Sequence, residues 1–203
     1  PVYDTSAAVQ VETIVADADV RLGLAGSTAQ ATLLRDALAA NAHDALGVWT
    51  MDADPGHDFD DLEGRADACA AQDLEERRTQ AGLDAVATIV YTSGTTASPR
   101  GALITHGNFV LQARNIAAAY TEVVKPDGNT IIFLPLAHVL ARGLQLICLA
   151  SGMRIAHLSE PREVVPALAV LRPTFLVVVP RVLQKVQAAA AAAAARKRLG
   201  PVW

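Results

Sequence analysis

Short apolar runs alternate with amphipathic stretches along most of the 203 residues. Residues 20–24, 46–51, 85–91, 102–105, 130–134, 153–158 and 174–179 are of strand length and carry few or no charges. Residues 6–16, 28–40, 106–120, 136–150 and 162–171 place apolar or alanine-rich positions at helical spacing. Residues 71–80 add a helix whose Glu75, Glu76, Arg77 and Arg78 lie on an exposed face. Ser6 is the expected cap of the first helix. Strands alternating with helices of about ten to fifteen residues predict an α/β fold with a mostly parallel sheet. The continuous apolar run at 174–179, closed by Pro180, predicts a parallel strand covered on both faces. The aspartate-rich stretch 52–61, with Pro55 and Gly56, predicts a solvated acidic loop.

Composition narrows the class. With 52% hydrophobic and 19% charged residues, the chain is neither disordered nor a coiled coil. Two cysteines, Cys69 and Cys148, exclude a disulfide scaffold and a four-cysteine zinc site, and both read as inert. No stretch is long and apolar enough for a membrane helix, and the alanine tract at 188–195 is only weakly hydrophobic. Pro1 is preceded by no charged-then-apolar leader, so the expected compartment is the cytoplasm, with peripheral membrane contact left open. The alanines and the Arg196-Lys197-Arg198 that follow read as a helix ending on cations and stopped by Gly200-Pro201. That end is either solvated or a patch for nucleic acid or lipid headgroups.

Charge is uneven. Residues 1–85 carry 5 basic and 17 acidic side chains, and residues 86–203 carry 12 basic and 4 acidic. A protein that binds polyanions is more often basic throughout, so general nucleic-acid binding is disfavoured. A basic second half suits a small anion.

The stretch Tyr91-Thr92-Ser93-Gly94-Thr95-Thr96-Ala97-Ser98-Pro99-Arg100-Gly101 directly follows an apolar strand. It gathers five serine and threonine hydroxyls, two glycines and one guanidinium. Hydroxyls and backbone N–H groups donate to phosphate oxygens, glycine lets the backbone come close to a ligand, and arginine is a bidentate phosphate partner. The other reading is a serine- and threonine-rich surface turn. Pro99-Arg100 stands where a Walker A loop needs glycine and lysine, and Gly23 and Gly26 lack the dinucleotide-fold spacing. No G-x-S-x-G or H-E-x-x-H pattern occurs.

This loop resembles the phosphate-binding loop of the adenylate-forming superfamily, the AMP-forming acyl-CoA synthetases. Three further segments are similar to the long-chain fatty-acid CoA ligase subgroup, in order along the chain. They are Pro1-Val-Tyr-Asp-Thr-Ser6, Phe133-Leu-Pro-Leu-Ala-His138-Val-Leu-Ala-Arg142, and Arg172-Pro-Thr174 followed by Val179-Pro-Arg-Val182. The resemblance implies a ligase that uses ATP, Mg²⁺ and coenzyme A. A fatty acid is activated to an acyl-adenylate and then passed to the thiol. Thr92, Ser93, Gly94, Thr95, Thr96 and Arg100 would surround the nucleotide phosphates, and no side chain is singled out as a metal ligand. His138 would line or gate the acyl and pantetheine site; the other reading is a histidine packed at a strand-to-helix corner. Arg142 and Arg181 read as structural ion-pair partners, and His106 as a helix-start residue. His43, His57 and His157 show no ligand-like spacing.

Ala97 and Arg100 depart from the family pattern, which has glycine and lysine there. The family's adenine and ribose motifs, hinge and C-terminal domain have no counterpart in residues 1–203. The chain is therefore expected to be an internal piece of the AMP-binding N-terminal domain, with an acidic α/β part at 1–85 and a phosphate-loop α/β part at 86–203. Its partners would be the small-molecule substrates and the remainder of the enzyme. The alternatives are a catalytically incompetent remnant or nucleotide-binding scaffold, or an enzyme adenylating another carboxylic acid.

Overall fold

A computed structural model of the chain describes residues 1–41, 44–54, 56–66, 71–92 and 99–196. The chain divides into two compact units. The first holds residues 1–111 and 136–139, and the second residues 112–135 and 140–203.

The first unit begins with α1 (Ala8–Asp17), β1 (Leu22–Ala25), α2 (Thr28–Asn41) and β2 (Gly47–Thr50). β1 and β2 pair in parallel from Leu22↔Gly47 to Ala25↔Thr50, with α2 as the crossover. Val11 and Val15 of α1, Ala31, Ala37 and Leu38 of α2, and Ala25 and Val48 of the strands form one apolar cluster. Gly23 permits the close approach of helix to strand, since a Cβ there would meet Val48 at 3.1 Å and Leu34 at 3.3 Å. Ser6 does not cap α1; the Gln10 side chain accepts from the Ala7 N–H at 3.0 Å instead. The N-cap position falls on Ala7, one residue later, whose side chain has no oxygen to accept from the first-turn N–H groups.

The aspartate-rich stretch is more than a solvated loop. The Asp52 carboxylate accepts from the Thr28 N–H at 2.9 Å, placing a negative charge at the N-terminus of α2 where the helix dipole favours it. Asp54 pairs with Arg35 of α2. Asp58 caps a short helix, α3 (Phe59–Glu63), by accepting from the Asp61 N–H at 3.0 Å. That bond holds the Asp58 carboxyl below its usual range. α4 (Ala71–Gln80) buries none of its residues and carries a Glu75–Arg78 ion pair on its surface.

β3 (Val86–Thr92) and β4 (Arg100–Thr105) form an antiparallel hairpin. α5 (His106–Ala119) starts directly after it. Thr105 and Asn108 cap it reciprocally, each side chain accepting from the other's N–H.

The second unit repeats the parallel plan. β5 (Asn129–Ile132) and β6 (Arg154–His157) pair from Asn129↔Arg154 to Ile132↔His157, and α6 (Val139–Ala150) crosses between them. A one-turn 3-10 helix (Pro161–Glu163), α7 (Val164–Leu171) and α8 (Pro180–Arg196) follow. Ile131, Phe133 and Val164 centre the core, with Leu168, Leu171 and Val182 packed around them. The described residues thus give an α/β chain with two parallel pairs and one antiparallel pair.

The run at 174–179 is not a ladder strand. Residues 175–178 are half-buried, and the run meets β5 through one backbone bond, from the Thr174 N–H to the Asn129 carbonyl at 2.9 Å, and otherwise through side chains. Asn129 Oδ1 accepts from the Thr174 N–H at 3.0 Å, and the Thr130 hydroxyl donates to the Phe175 carbonyl at 2.9 Å. Those side-chain bonds take the place of the regular backbone exchange that a ladder needs. Pro180 then opens α8, at the helix position where its missing N–H is harmless. No helix among the described residues is long and apolar enough to cross a membrane.

Candidate functional site

The hairpin delivers the hydroxyl- and glycine-rich loop. Thr92 pairs with Arg100 at its open end, both exposed, so their backbones face each other at the mouth of the turn. Ser93, Gly94, Thr95, Thr96 and Ala97 lie outside the described residues. The two described members of the expected phosphate set therefore stand together, one hydroxyl and one guanidinium at the root of the same loop. Neither is withdrawn into the core, as an anion site requires.

The root itself is tightly built. Tyr91 is 6% exposed and pairs across the ladder with Gly101. A Cβ on Gly101 would lie 2.7 Å from Ile89 Cγ2, 3.0 Å from the Tyr91 ring and 3.2 Å from its hydroxyl. Ile89 and Tyr91 occupy the space that a side chain at this position would need. The Tyr91 hydroxyl donates to the Asp17 carboxylate at the end of α1. Burial, and then the Asp17 hydrogen bond, push the Tyr91 phenol up to about 12. Sequence reasoning missed Asp17 because its partner is 74 residues away and an aspartate at a helix end has no distinctive pattern.

His138 is exposed in the turn that enters α6, and it belongs to the same compact unit as the hairpin. Arg142 is half-buried in the first turn of α6 and belongs to the second unit. His106 is the first residue of α5, as expected of a helix-start residue. Cys148 is fully buried, and burial raises its thiol pKa, which keeps it protonated and unreactive. Cys69 and His43 lie outside the described residues. Among the described residues no group of three histidine, cysteine, aspartate or glutamate side chains is placed to hold a metal ion.

Two cavities accompany these elements, one in each unit. The first, of about 470 Å³, is lined by Val2 and Tyr3, by α1 and β1, and by Thr88, Ile89 and Tyr91 of β3. The second, of about 250 Å³, is lined by Ile116 and Tyr120 of α5, Gly143, Leu144 and Ile147 of α6, and Phe175. Its walls are almost wholly apolar, whereas the loop is built from hydroxyls and a cation.

The profile of the family described as AMP-binding enzyme matches residues 1–202. The long-chain-fatty-acid–CoA ligase FadD15 of Mycobacterium bovis is 30% identical over 203 residues, covering 100% of this chain and 34% of that protein. Human long-chain-fatty-acid–CoA ligase 1 is 39% identical over 103 residues, covering 49% of this chain and 15% of that protein. The crystal structure of a putative long-chain-fatty-acid CoA ligase from Rhodopseudomonas palustris superposes with a TM-score of 0.74 at 19% identity. It covers 92% of this chain and 45% of that one. The chain spans about a third of the length of the curated FadD15 relatives that it matches end to end.

Proposed function

The chain belongs to the AMP-binding enzyme family, and on that premise we propose that its protein joins a long-chain fatty acid to coenzyme A through an acyl-adenylate. A carboxylate oxygen attacks the α-phosphorus of ATP, the bond to the bridging oxygen breaks, and pyrophosphate leaves. The coenzyme A thiolate then attacks the acyl carbon, and AMP departs with the electrons of the broken C–O bond. Charge accumulates on the leaving pyrophosphate in the first step. Fixed donors around it lower the barrier most effectively where no reorganisation is needed.

One observation carries the reading. Thr92 and Arg100 face each other at the root of a loop of hydroxyls and glycines, next to the buried Tyr91 of the same hairpin. In this proposal the Thr92 hydroxyl and the Arg100 guanidinium take the β- and γ-phosphates, with Ser93, Gly94, Thr95 and Thr96 completing the cradle. Mg²⁺ suits such a site when it arrives on the nucleotide, because it is held mainly by phosphates and water rather than by a protein cage. Bound there, it would screen the charge of the leaving group. His138 is assigned to the acyl and thiol side of the reaction. The apolar cavity between α5 and α6 is the candidate seat for a hydrocarbon tail.

Carboxylate-dependent ATP–pyrophosphate exchange across fatty, aryl and amino acids tests the reading. Exchange that rises only with long-chain fatty acids is the expected result. A preference for an aryl or amino acid moves the enzyme to another substrate class, as a shared fold permits. Ala97 and Arg100 favour a second reading, a nucleotide-binding scaffold without ligase activity. ATP binding with no exchange for any acid would establish it.

A further inference from the structure

We propose that Asp17 is a positioning residue for the phosphate loop: through Tyr91, whose ring lies across the bare Gly101, it holds the Thr92–Arg100 root of the hairpin in one register. The inference rests on the reading of that loop as the nucleotide site.

Three features meet at one position of the ladder. Tyr91 and Gly101 are opposite each other, one residue inside the Thr92–Arg100 pair. Gly101 has no Cβ, and the space it leaves is taken by Ile89 and by the Tyr91 ring. The far end of that ring is fixed, because its hydroxyl donates to a carboxylate on α1. A one-residue slip of either strand would turn Tyr91 to the opposite face and bring a side chain in place of Gly101. It would also displace Thr92 and Arg100, the flanks of the loop. The hydrogen bond therefore stabilises the one register in which hydroxyl and guanidinium stand opposite each other.

The location of Asp17 supports a specific role. It is the last residue of α1, where a helix dipole disfavours a carboxylate, and the last turn of that helix holds no basic residue. A buried phenol without an acceptor is also costly. Each group offsets the other's cost, and together they tie α1 to the strand that enters the loop.

The test uses the whole protein with Asp17→Ala, Asp17→Asn, Tyr91→Phe and the Asp17→Ala/Tyr91→Phe double variant. Hydrogen exchange of the amides from Tyr91 to Ala102 is measured together with the KM for MgATP and for fatty acid. Asp17→Ala and Tyr91→Phe are each expected to speed exchange in that segment about tenfold and to raise the MgATP KM about five- to tenfold. The fatty-acid KM should change less than twofold. Asp17→Asn, which keeps an acceptor, should recover most of the loss, and the double variant should be no worse than either single one. Wild-type exchange at the hairpin in Asp17→Ala would overturn the proposal. So would faster exchange spread evenly over the protein, or equal rises in both KM values. If the wild-type protein shows no activity, the proposed function fails, while the hydrogen-exchange comparison still decides the role of Asp17.

Discussion

The parallel pairs β1–β2 and β5–β6 share a plan but differ in what fastens the crossover helix. Each has four-residue strands joined through one helix. In the first unit α2 buries only Ala31, Ala37 and Leu38. It is tied by charge to the chain after β2, through Asp52 at its N-terminus and the Arg35–Asp54 pair. In the second unit α6 buries Ala141, Gly143, Leu144, Ile147 and Cys148, a broader apolar stripe. The acidic and basic halves of the sequence thus correspond partly to two ways of holding a helix on a strand pair. In the second unit Gly143, Leu144 and Ile147 of that stripe also line the apolar cavity.

If the second unit depends on packing, Ile131→Ala should have the largest effect. Ile131 is 1% exposed at the centre of that core. The loss should be about 2–5 kcal/mol, read as a lower denaturant midpoint. Gly101→Val should come next, because its Cβ collides with Ile89 and Tyr91 in the first unit. Overpacking there should cost ~1–3 kcal/mol and raise the MgATP KM as the loop root shifts. Arg35→Ala removes a partly exposed ion pair and should cost no more than about 1 kcal/mol. A loss as large as that of Ile131→Ala would erase the contrast between the two units.

Two further variants sharpen the comparison without a large change in stability. A Cβ on Gly143 meets only Gln112 Oε1, at 3.6 Å, so the position has room toward the apolar cavity. Gly143→Leu should shift the preferred fatty acid to shorter chains and leave the MgATP KM unchanged, measured across a chain-length series. In the first unit, the Tyr91 phenol is raised from about 10 to about 12. Its contribution is complete below the ordinary tyrosine range and is lost as pH rises through that window. The gap in urea midpoint between wild type and Tyr91→Phe should therefore narrow between pH 10 and pH 12.

Much of the fold was legible because it follows from local chemistry. The helix at 71–80 is found with the expected bounds, since mixed charge at helical spacing needs no tertiary partner. The strand at 47–50 falls within the apolar run 46–51 that predicts it, and the strand at 22–25 overlaps the run 20–24 and extends one residue past it. The run at 174–179 did not become a ladder strand, because strand pairing depends on a neighbour's free backbone groups and Asn129 and Thr130 supply side chains there. Ser6 failed as a cap because the helix begins one residue later than its hydroxyl would serve, with Ala7 at the N-cap position.

The site divides the same way. The sequence alone determined the inventory: a loop of hydroxyls and glycines with Arg100 beside it, after an apolar strand. Residue type and spacing suffice for that, since phosphate chemistry needs donors within one turn of chain. Only the tertiary structure decided the register that sets Thr92 opposite Arg100 and the identity of Asp17 as the acceptor for Tyr91. It also decided that Gly101 yields its space to Ile89 and a ring. The Asp17–Tyr91 bond joins segments 74 residues apart, and the other contacts depend on how the two strands of the hairpin pair. Their energies arise from shape and burial, which no local pattern of residues encodes.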